Sequence, residues 1–461
     1  MFAIPGMVAL ITFIYLRPQE VFTGLQRAPL LYLFFGLALF GLAVDLRLRV
    51  SRPEPAPQLP WLIALWLWSV FTVALSAPGH LIGGAIETAI ALTLFVVVAH
   101  SVQSLRMLQL VAGVVLAMVI LLAALGVHQG MAPYGCVQLD TTNMSDLSSG
   151  VPDGRGCETA QTCLDEDPEP GAEYMCERVG LLGTTSVGDG RVRYRGVLQD
   201  PNELALAISI GLAFALAFFD RRRSARRLLL VLVATGLVLA CVMFTQSRGG
   251  QLVFLSVFGA YFIRKFGWKG AVLGAMAAVP VLLLAGGGEE RSDAAGSTEE
   301  RLEALMTGLE LFRSSPIFGV GQGQFTEHHF RTAHNAYVLA AAELGLIGMF
   351  LWTSILYLSF KIPLVALRRY ADHPEARVVV SWSMAMVAAL LGLYVGSFFL
   401  SFTFHYVTWI FLGLSGALYS AIRTHDRSFI VRYGPLEMAL VLLANVMLLG
   451  GLFVYLRLKG F

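Results

Sequence analysis

Leu228-Leu229-Leu230-Val231-Leu232-Val233-Ala234-Thr235-Gly236-Leu237-Val238-Leu239-Ala240-Cys241-Val242-Met243-Phe244, followed at once by Thr245-Gln246-Ser247-Arg248-Gly249-Gly250, decides the kind of fold. The first part is continuous apolar chain, long enough as a helix to cross most of a hydrocarbon core about 30 Å thick. It shows no period-two alternation. Lipid offers no water to an open strand, so the run reads as a membrane helix. The second part is the whole connection to the next apolar run. So short a hairpin holds the guanidinium of Arg248 at, or slightly below, the membrane surface, where an ionisable group is costly and marks a functional candidate rather than a mere interfacial anchor.

The same pattern fills the chain. It is 56% hydrophobic and 14% charged, against about 45–50% and about 25% for soluble globular proteins. Apolar runs lie at 2–16, 29–46, 60–77, 82–99, 106–126, 203–219, 228–244, 250–263, 270–285, 335–360, 378–400, 405–422 and 436–456. The first is short, and Arg17 follows it rather than preceding it. It lacks the basic start and small-residue cleavage site of a signal peptide, so it counts as a span or a half-buried segment. The expected fold class is therefore all-α: a polytopic transmembrane helix bundle of 12 to 13 spans with two long periplasmic loops, the second containing an amphipathic helix. The expected divisions are N-terminal helices 1–126, an acidic loop 127–202, central helices 203–285, a catalytic loop 286–334 and C-terminal helices 335–461.

Arginine and lysine bias sets the orientation. Alternate short loops carry Arg47, Arg49 and Arg52; Arg221, Arg222, Arg223, Arg226 and Arg227; Arg264 and Lys265; Lys361, Arg368 and Arg369; and Arg423, Arg427 and Arg432. These are expected on the cytoplasmic side, which puts both long loops outside. The cysteines agree: Cys136, Cys157, Cys163 and Cys176 share the first long loop, while Cys241 lies in an apolar span. Four in one polar loop read as two disulfides with three possible pairings, and no Cys-x-x-Cys favours zinc. Disulfides belong in an oxidising compartment. From Cys136 to Arg178 the loop holds ten Asp or Glu residues against Arg155 and Arg178. It should repel polyanions, so no nucleic-acid partner is expected. A solvated, stapled cap is its plain role; recognition of a partner or an acceptor is the other.

The second loop has a readable interior. Ser297 and Glu300 fit a capping box, and Leu302, Leu305, Met306, Leu309 and Phe312 follow at helical spacing until Pro316. Arg301 then falls in the first turn, where the helix dipole disfavours a cation and an anionic partner is expected. Next comes Ser315-Pro316-Ile317-Phe318-Gly319-Val320-Gly321-Gln322-Gly323-Gln324-Phe325, an elbow that leads to Ala333-His334-Asn335-Ala336-Tyr337 and Glu343-Leu344-Gly345. Spaced glycines could cradle a phosphate, but no strand and crossover helix surround them. Asn335 suits the cap of the following helix. His334 can act as general base towards a hydroxyl or anchor the helix at the interface. His328 and His329 lack a convincing metal spacing.

Earlier in the chain, Arg193 and Arg195 precede Gly196-Val197-Leu198-Gln199-Asp200-Pro201-Asn202-Glu203, a turn entering a helix. The order Arg-x-x-Gly-x-x-x-Asp-Pro-Asn, Ser-Arg-Gly, an arginine before an amphipathic helix, Ser-Pro-Ile-x-Gly-x-Gly-x-Gly-x-Phe, His-Asn and Glu-Leu-Gly resembles the O-antigen ligase and O-antigen polymerase superfamily, bacterial inner-membrane glycosyltransferases of the GT-C type. The resemblance runs from about Arg193 to Gly348 and does not include the acidic cysteine loop. It implies a donor glycan on undecaprenyl diphosphate, a sugar-hydroxyl acceptor on lipid A core or a lipid-linked glycan, and an inverting transfer without metal or cofactor. It further implies that Arg248 and Arg301, with Arg193 or Arg195, hold the diphosphate and that His334 activates the acceptor. Asn202, Gly249, Gly321, Gly323, Asn335 and Glu343 would support them. Lipopolysaccharide, O-antigen or exopolysaccharide synthesis is the implied setting.

Two other classes stay open. A protein O-oligosaccharyltransferase would share these motifs. A transporter or flippase of lipid-linked sugars would also need many spans and intramembrane charges, and Glu87 within a span could be read that way. Against transport, Arg248, Arg301 and His334 are all expected on one outer face rather than at the midplane. None of the four lysines, Lys265, Lys269, Lys361 and Lys459, sits in a phosphate-binding loop, so an activated lipid donor supplies the driving force.

Overall fold

The structure, a computed structural model, describes residues 2–25, 28–50, 55–139, 150–165, 172–188, 190–221, 223–270, 272 and 291–460. In chain order its helices are α1 (Ala3–Leu16), α2 (Leu30–Arg47), α3 (Leu59–Ser76), α4 (Leu81–Ser101), α5 (Leu105–Met131), α6 (Ala160–Asp165), α7 (Pro201–Gly211), α8 (Ala213–Arg221), α9 (Ala225–Phe244), α10 (Arg248–Phe266), α11 (Arg291–Ser314), α12 (Ala336–Arg369), α13 (Arg377–Gly396), α14 (Tyr406–Arg423) and α15 (Pro435–Leu458). Nine spans among the described residues are long and apolar enough to cross a membrane, with α7 and α8 together making one, and α1 is a shorter apolar helix. α10 and α14 form at expected positions but fall outside that set. α10 carries Arg248, Gln251, Arg264 and Lys265. The span expected at 270–285 lies largely outside the described residues.

Two expectations change. The all-α expectation omitted a three-stranded antiparallel sheet within the first long loop, β1 (Tyr134–Gln138), β2 (Val151–Gly156) and β3 (Tyr174–Arg178), in the order β2-β1-β3. These strands are short and carry glycine, cysteine and charge, so no apolar alternation announces them; disulfides hold them instead. Cys136 pairs with Cys163 and Cys157 with Cys176. The close group of Cys136, Cys157 and Cys163 sulfurs is thus committed to S–S bonds. The second change concerns α11, which begins at Arg291, so Ser297 and Glu300 lie inside it and Arg301 is not in its first turn. Ser297 reads as a cap locally, yet the preceding residues continue the helix. The dipole argument for an anion at Arg301 therefore lapses.

The chain divides into two compact units. The first comprises residues 1–9, 33–111 and 286–461, the second 10–32 and 112–285. In the first, α12 is the central element: 78% of its apolar window is buried, against 22% for α15. Trp352 of α12, Trp382 of α13 and Trp409 of α14 are fully buried. α14 packs on α4 where a Cβ added to Gly413 would stand 2.8 Å from that of Val98, the close backbone approach that small residues allow between membrane helices. Asp45, buried in α2, accepts the N–H groups of Phe2 and Ala3 at 2.9 and 3.0 Å and so caps α1. In the second unit α7 is buried along nearly its whole length and packs against α9 and α10.

Candidate active site

In the second unit, three of the motifs meet at neighbouring helix ends. Asp200 caps α7, its Oδ1 accepting from Asn202 N at 2.6 Å and Asn202 Nδ2 at 2.8 Å. Ser247 caps α10 by accepting from Gly250 N at 2.9 Å, and its hydroxyl donates to Asn202 Oδ1 at 2.7 Å. Asp-Pro-Asn and Ser-Arg-Gly are therefore one hydrogen-bonded assembly. The glycines fit it because an added Cβ at Gly250 would come 2.3 Å from Ala205 Cβ. The segment before Arg193 joins the same hairpin: Val192 N donates to Phe244 O at 3.1 Å and Arg191 Nε to Thr245 O at 3.2 Å.

Arg248, the first residue of α10, is exposed, and no hydrogen bond or ion pair holds its guanidinium among the described residues. The N-terminus of α7 is joined to that of α10 through Asn202 and Ser247, which brings a second positive dipole end beside it. Together they make an anion-suited surface. Arg193 and Arg195 are used differently. Arg193 is buried, with Nε donating to Thr185 O at 3.1 Å and Nη2 to Thr185 Oγ1 at 3.3 Å, while its own N–H donates to Gln129 Oε1. Arg195 donates to the carbonyls of Glu20, Leu182 and Gly183. Both brace the loop around residues 182–185.

The first unit holds the rest. The glycine elbow docks backbone to backbone on α12 at a break in that helix. Val320 N donates to Ala342 O and Gly321 N to Glu343 O, both at 2.9 Å, and Leu346 N donates to Pro316 O at 2.8 Å. Gly345 sits at φ 66°, ψ −172°, a region essentially restricted to glycine. Its Cβ would lie 2.1 Å from Ile317 O, and one at Gly319, φ 71°, would lie 2.4 Å from Glu343 O. The Glu343 carboxyl accepts the backbone N–H groups of Gly323 and Phe325. Elbow and Glu-Leu-Gly are thus two halves of one joint, with Gly321 and Gly323 serving its shape rather than a phosphate. Gln322, not singled out from sequence, is buried in this joint. It accepts from Ser69 Oγ at 2.8 Å, and its Nε2 donates to Glu87 Oε2 at 3.4 Å. That gives Glu87 a partner at the elbow.

His334 follows the elbow at φ 47°, a left-handed conformation uncommon for any residue but glycine. Asn335 caps α12, accepting from Tyr337 N and Val338 N at 3.0 Å each and donating to Phe398 O at 3.2 Å. Arg331, three residues before the histidine, pairs with Glu300 at 2.9 Å. This ties the residue next to Arg301 to the loop carrying His334. Only an ion pair between distant segments reveals that tie, so sequence spacing could not.

Fold and site define a polytopic helical membrane protein with exposed arginine at helix ends and a fixed histidine at a helix mouth. Residues 234–353 match the family model Wzy_C, O-antigen ligase, and this match supports the O-antigen ligase and polymerase superfamily, whose members are glycosyltransferases. The matched region contains Ser-Arg-Gly, α11, the elbow, His334-Asn335 and Glu343-Leu344-Gly345. No curated protein matches the chain.

Proposed function

We propose that the chain moves a glycan from undecaprenyl diphosphate onto an acceptor sugar hydroxyl at the periplasmic face of the bacterial inner membrane. The acceptor oxygen attacks the anomeric carbon as the bond to the diphosphate breaks, with inversion and without a metal. The lipid diphosphate leaves with the bonding electrons, and the acceptor proton passes to His334. Arg248 and Arg301 hold the departing charge by charge-assisted, bidentate hydrogen bonds. Arg193 and Arg195 remain in the proposal as further diphosphate arginines, with a smaller share because the 182–185 loop already engages them.

The observation that carries this reading is Arg248, exposed at the hydrogen-bonded ends of α7 and α10. The test uses purified protein in detergent with a lipid-linked donor and a glycan acceptor. Wild type should form product with no vesicle barrier, and Arg248→Ala and His334→Ala should each lower transfer by at least about 10²-fold. Near-normal transfer in both variants overturns the assignment, and no transfer by wild type favours a flippase. In cells, deletion separates the ligase from the polymerase: loss of a ligase removes long chains from the lipid A core, whereas loss of a polymerase leaves core with a single repeat.

A further inference from the structure

Arg17 closes the first apolar run, far along the chain from the segment that matches the family model, yet the second unit folds it onto the Arg-x-x-Gly turn. Tyr194 Oη donates to Leu16 O at 2.9 Å, and Arg195 donates to Glu20 O. Residues 16–20 and 194–196 are thereby laced together. The Arg17 side chain crosses Gly196: a Cβ added there would stand 2.5 Å from its Cγ and 2.7 Å from its Nε. Gly196, at φ 58°, is thus the residue that admits this arginine.

The arginines of this turn are used differently. Arg193 donates to Thr185, and Arg195 to the carbonyls of Glu20, Leu182 and Gly183. The Arg17 guanidinium makes no hydrogen bond among the described residues; it faces the Glu20 carboxylate at 3.6 Å, beyond hydrogen-bond length, and its side chain is 23% exposed. Its backbone is held at φ 45°, ψ 57°, immediately before Pro18. The other non-glycine residues at positive φ among the described ones are Arg49, Leu182, Gln246 and His334. Leu182 accepts from Arg195, Gln246 precedes Ser-Arg-Gly, and His334 is the base proposed above. Strain of this kind collects at functional sites. Arg49 aside, it follows the motifs here, and it includes Arg17 with them.

We propose that Arg17 is a further diphosphate-binding residue. At the turn where the motif was expected to supply an arginine, the guanidinium that takes a phosphate oxygen comes from the segment after α1, while Arg193 and Arg195 brace the loop. Glu20 competes with the phosphate for Arg17. This assignment rests on the reading of the donor as a lipid diphosphate.

The test uses the full-length protein in phosphatidylcholine nanodiscs, with undecaprenyl diphosphate as the probe for binding and the lipid-linked donor for transfer. Arg17→Gln keeps much of the stem over Gly196 and should keep the thermal midpoint, yet weaken diphosphate binding about tenfold or more. The donor KM should rise with it and the acceptor KM stay unchanged. Arg17→Lys, which keeps the charge without the fork, should fall between. Glu20→Gln should tighten binding, because it removes the competing carboxylate. Weaker binding in both Arg17→Gln and Glu20→Gln overturns the proposal, since a pair needed only for structure fails from either side. Wild-type affinity in Arg17→Gln overturns it too, as does equal competition by phosphatidylglycerol, which would mark a bulk-headgroup contact. If Arg248→Ala binds the diphosphate at wild-type affinity, the donor reading of Arg248 is what fails, whatever Arg17 does.

Discussion

His334 occupies a left-handed backbone position between Ala333, buried in the cluster that α11 and α12 share, and Asn335, buried as a helix cap. A residue so held is one whose surroundings fix it in a costly conformation, and such positions concentrate at functional sites. Asparagine tolerates the left-handed region well but offers no base near neutral pH. His334→Asn should therefore keep the wild-type thermal midpoint and yet lose transfer by at least about 10²-fold; retained transfer would show that the position serves the backbone. A histidine beside a helix cap was legible in Ala333-His334-Asn335. Local sequence could not show the strained φ, because that follows from Ala336 N bonding Ser397 O and Asn335 reaching Phe398 O, in a segment some sixty residues away.

At the scale of the element, the joint between the glycine elbow and broken α12 is the part that positions the histidine. Gly345→Ala should cost about 1–3 kcal/mol in backbone strain alone, before the added Cβ meets Ile317 O at 2.1 Å. A markedly lower thermal midpoint in detergent is expected for Gly345→Ala and little change for Gly451→Ala, where nothing lies within 4 Å; equal midpoints would show that the joint does not hold the fold. A second element-scale device stands beyond the other end of α12. The Asp426 carboxylate accepts Ser428 Oγ at 2.5 Å and Tyr370 Oη at 2.7 Å and pairs with Arg369 at 2.8 Å. The hydrogen bonds from Ser428 and Tyr370, aided by Arg369, lower its pKa to about 2. A depressed carboxyl stabilises the fold above its unfolded value near 3.9 and loses that contribution as pH falls towards 2. The gap in thermal midpoint between wild type and Asp426→Asn should thus be open at pH 6 and close between pH 4 and pH 2; a gap independent of pH would assign it to packing.

Over the whole molecule, the acidic loop lies outside the region that matches the family model, and its sheet depends on two crosslinks of sequence separation 27 and 19. Each closes a loop worth about 3 kcal/mol in the chain-entropy account. Reduction should raise amide exchange in residues 134–138 and 174–178 while leaving α12 protected; unchanged exchange in the strands would make the disulfides dispensable. The sequence by itself determined a chain dominated by apolar helices, nine of which among the described residues are long enough to cross a membrane, since an apolar run in lipid has few other ways to satisfy its backbone. It also determined the cysteine-stapled loop, the Ser-Arg-Gly hairpin and the cap at Asn335, each a matter of local spacing. Only the tertiary structure decided the rest. It chose one of three disulfide pairings, placed strands where no alternation announced them, and carried α11 back past its apparent cap at Ser297. It also tied Arg193 and Arg195 to loop carbonyls while leaving Arg248 exposed. The physical reason is common to all of these: local pattern fixes what a segment can become, but a guanidinium, a glycine or a thiol takes its role from whichever distant group the fold brings against it.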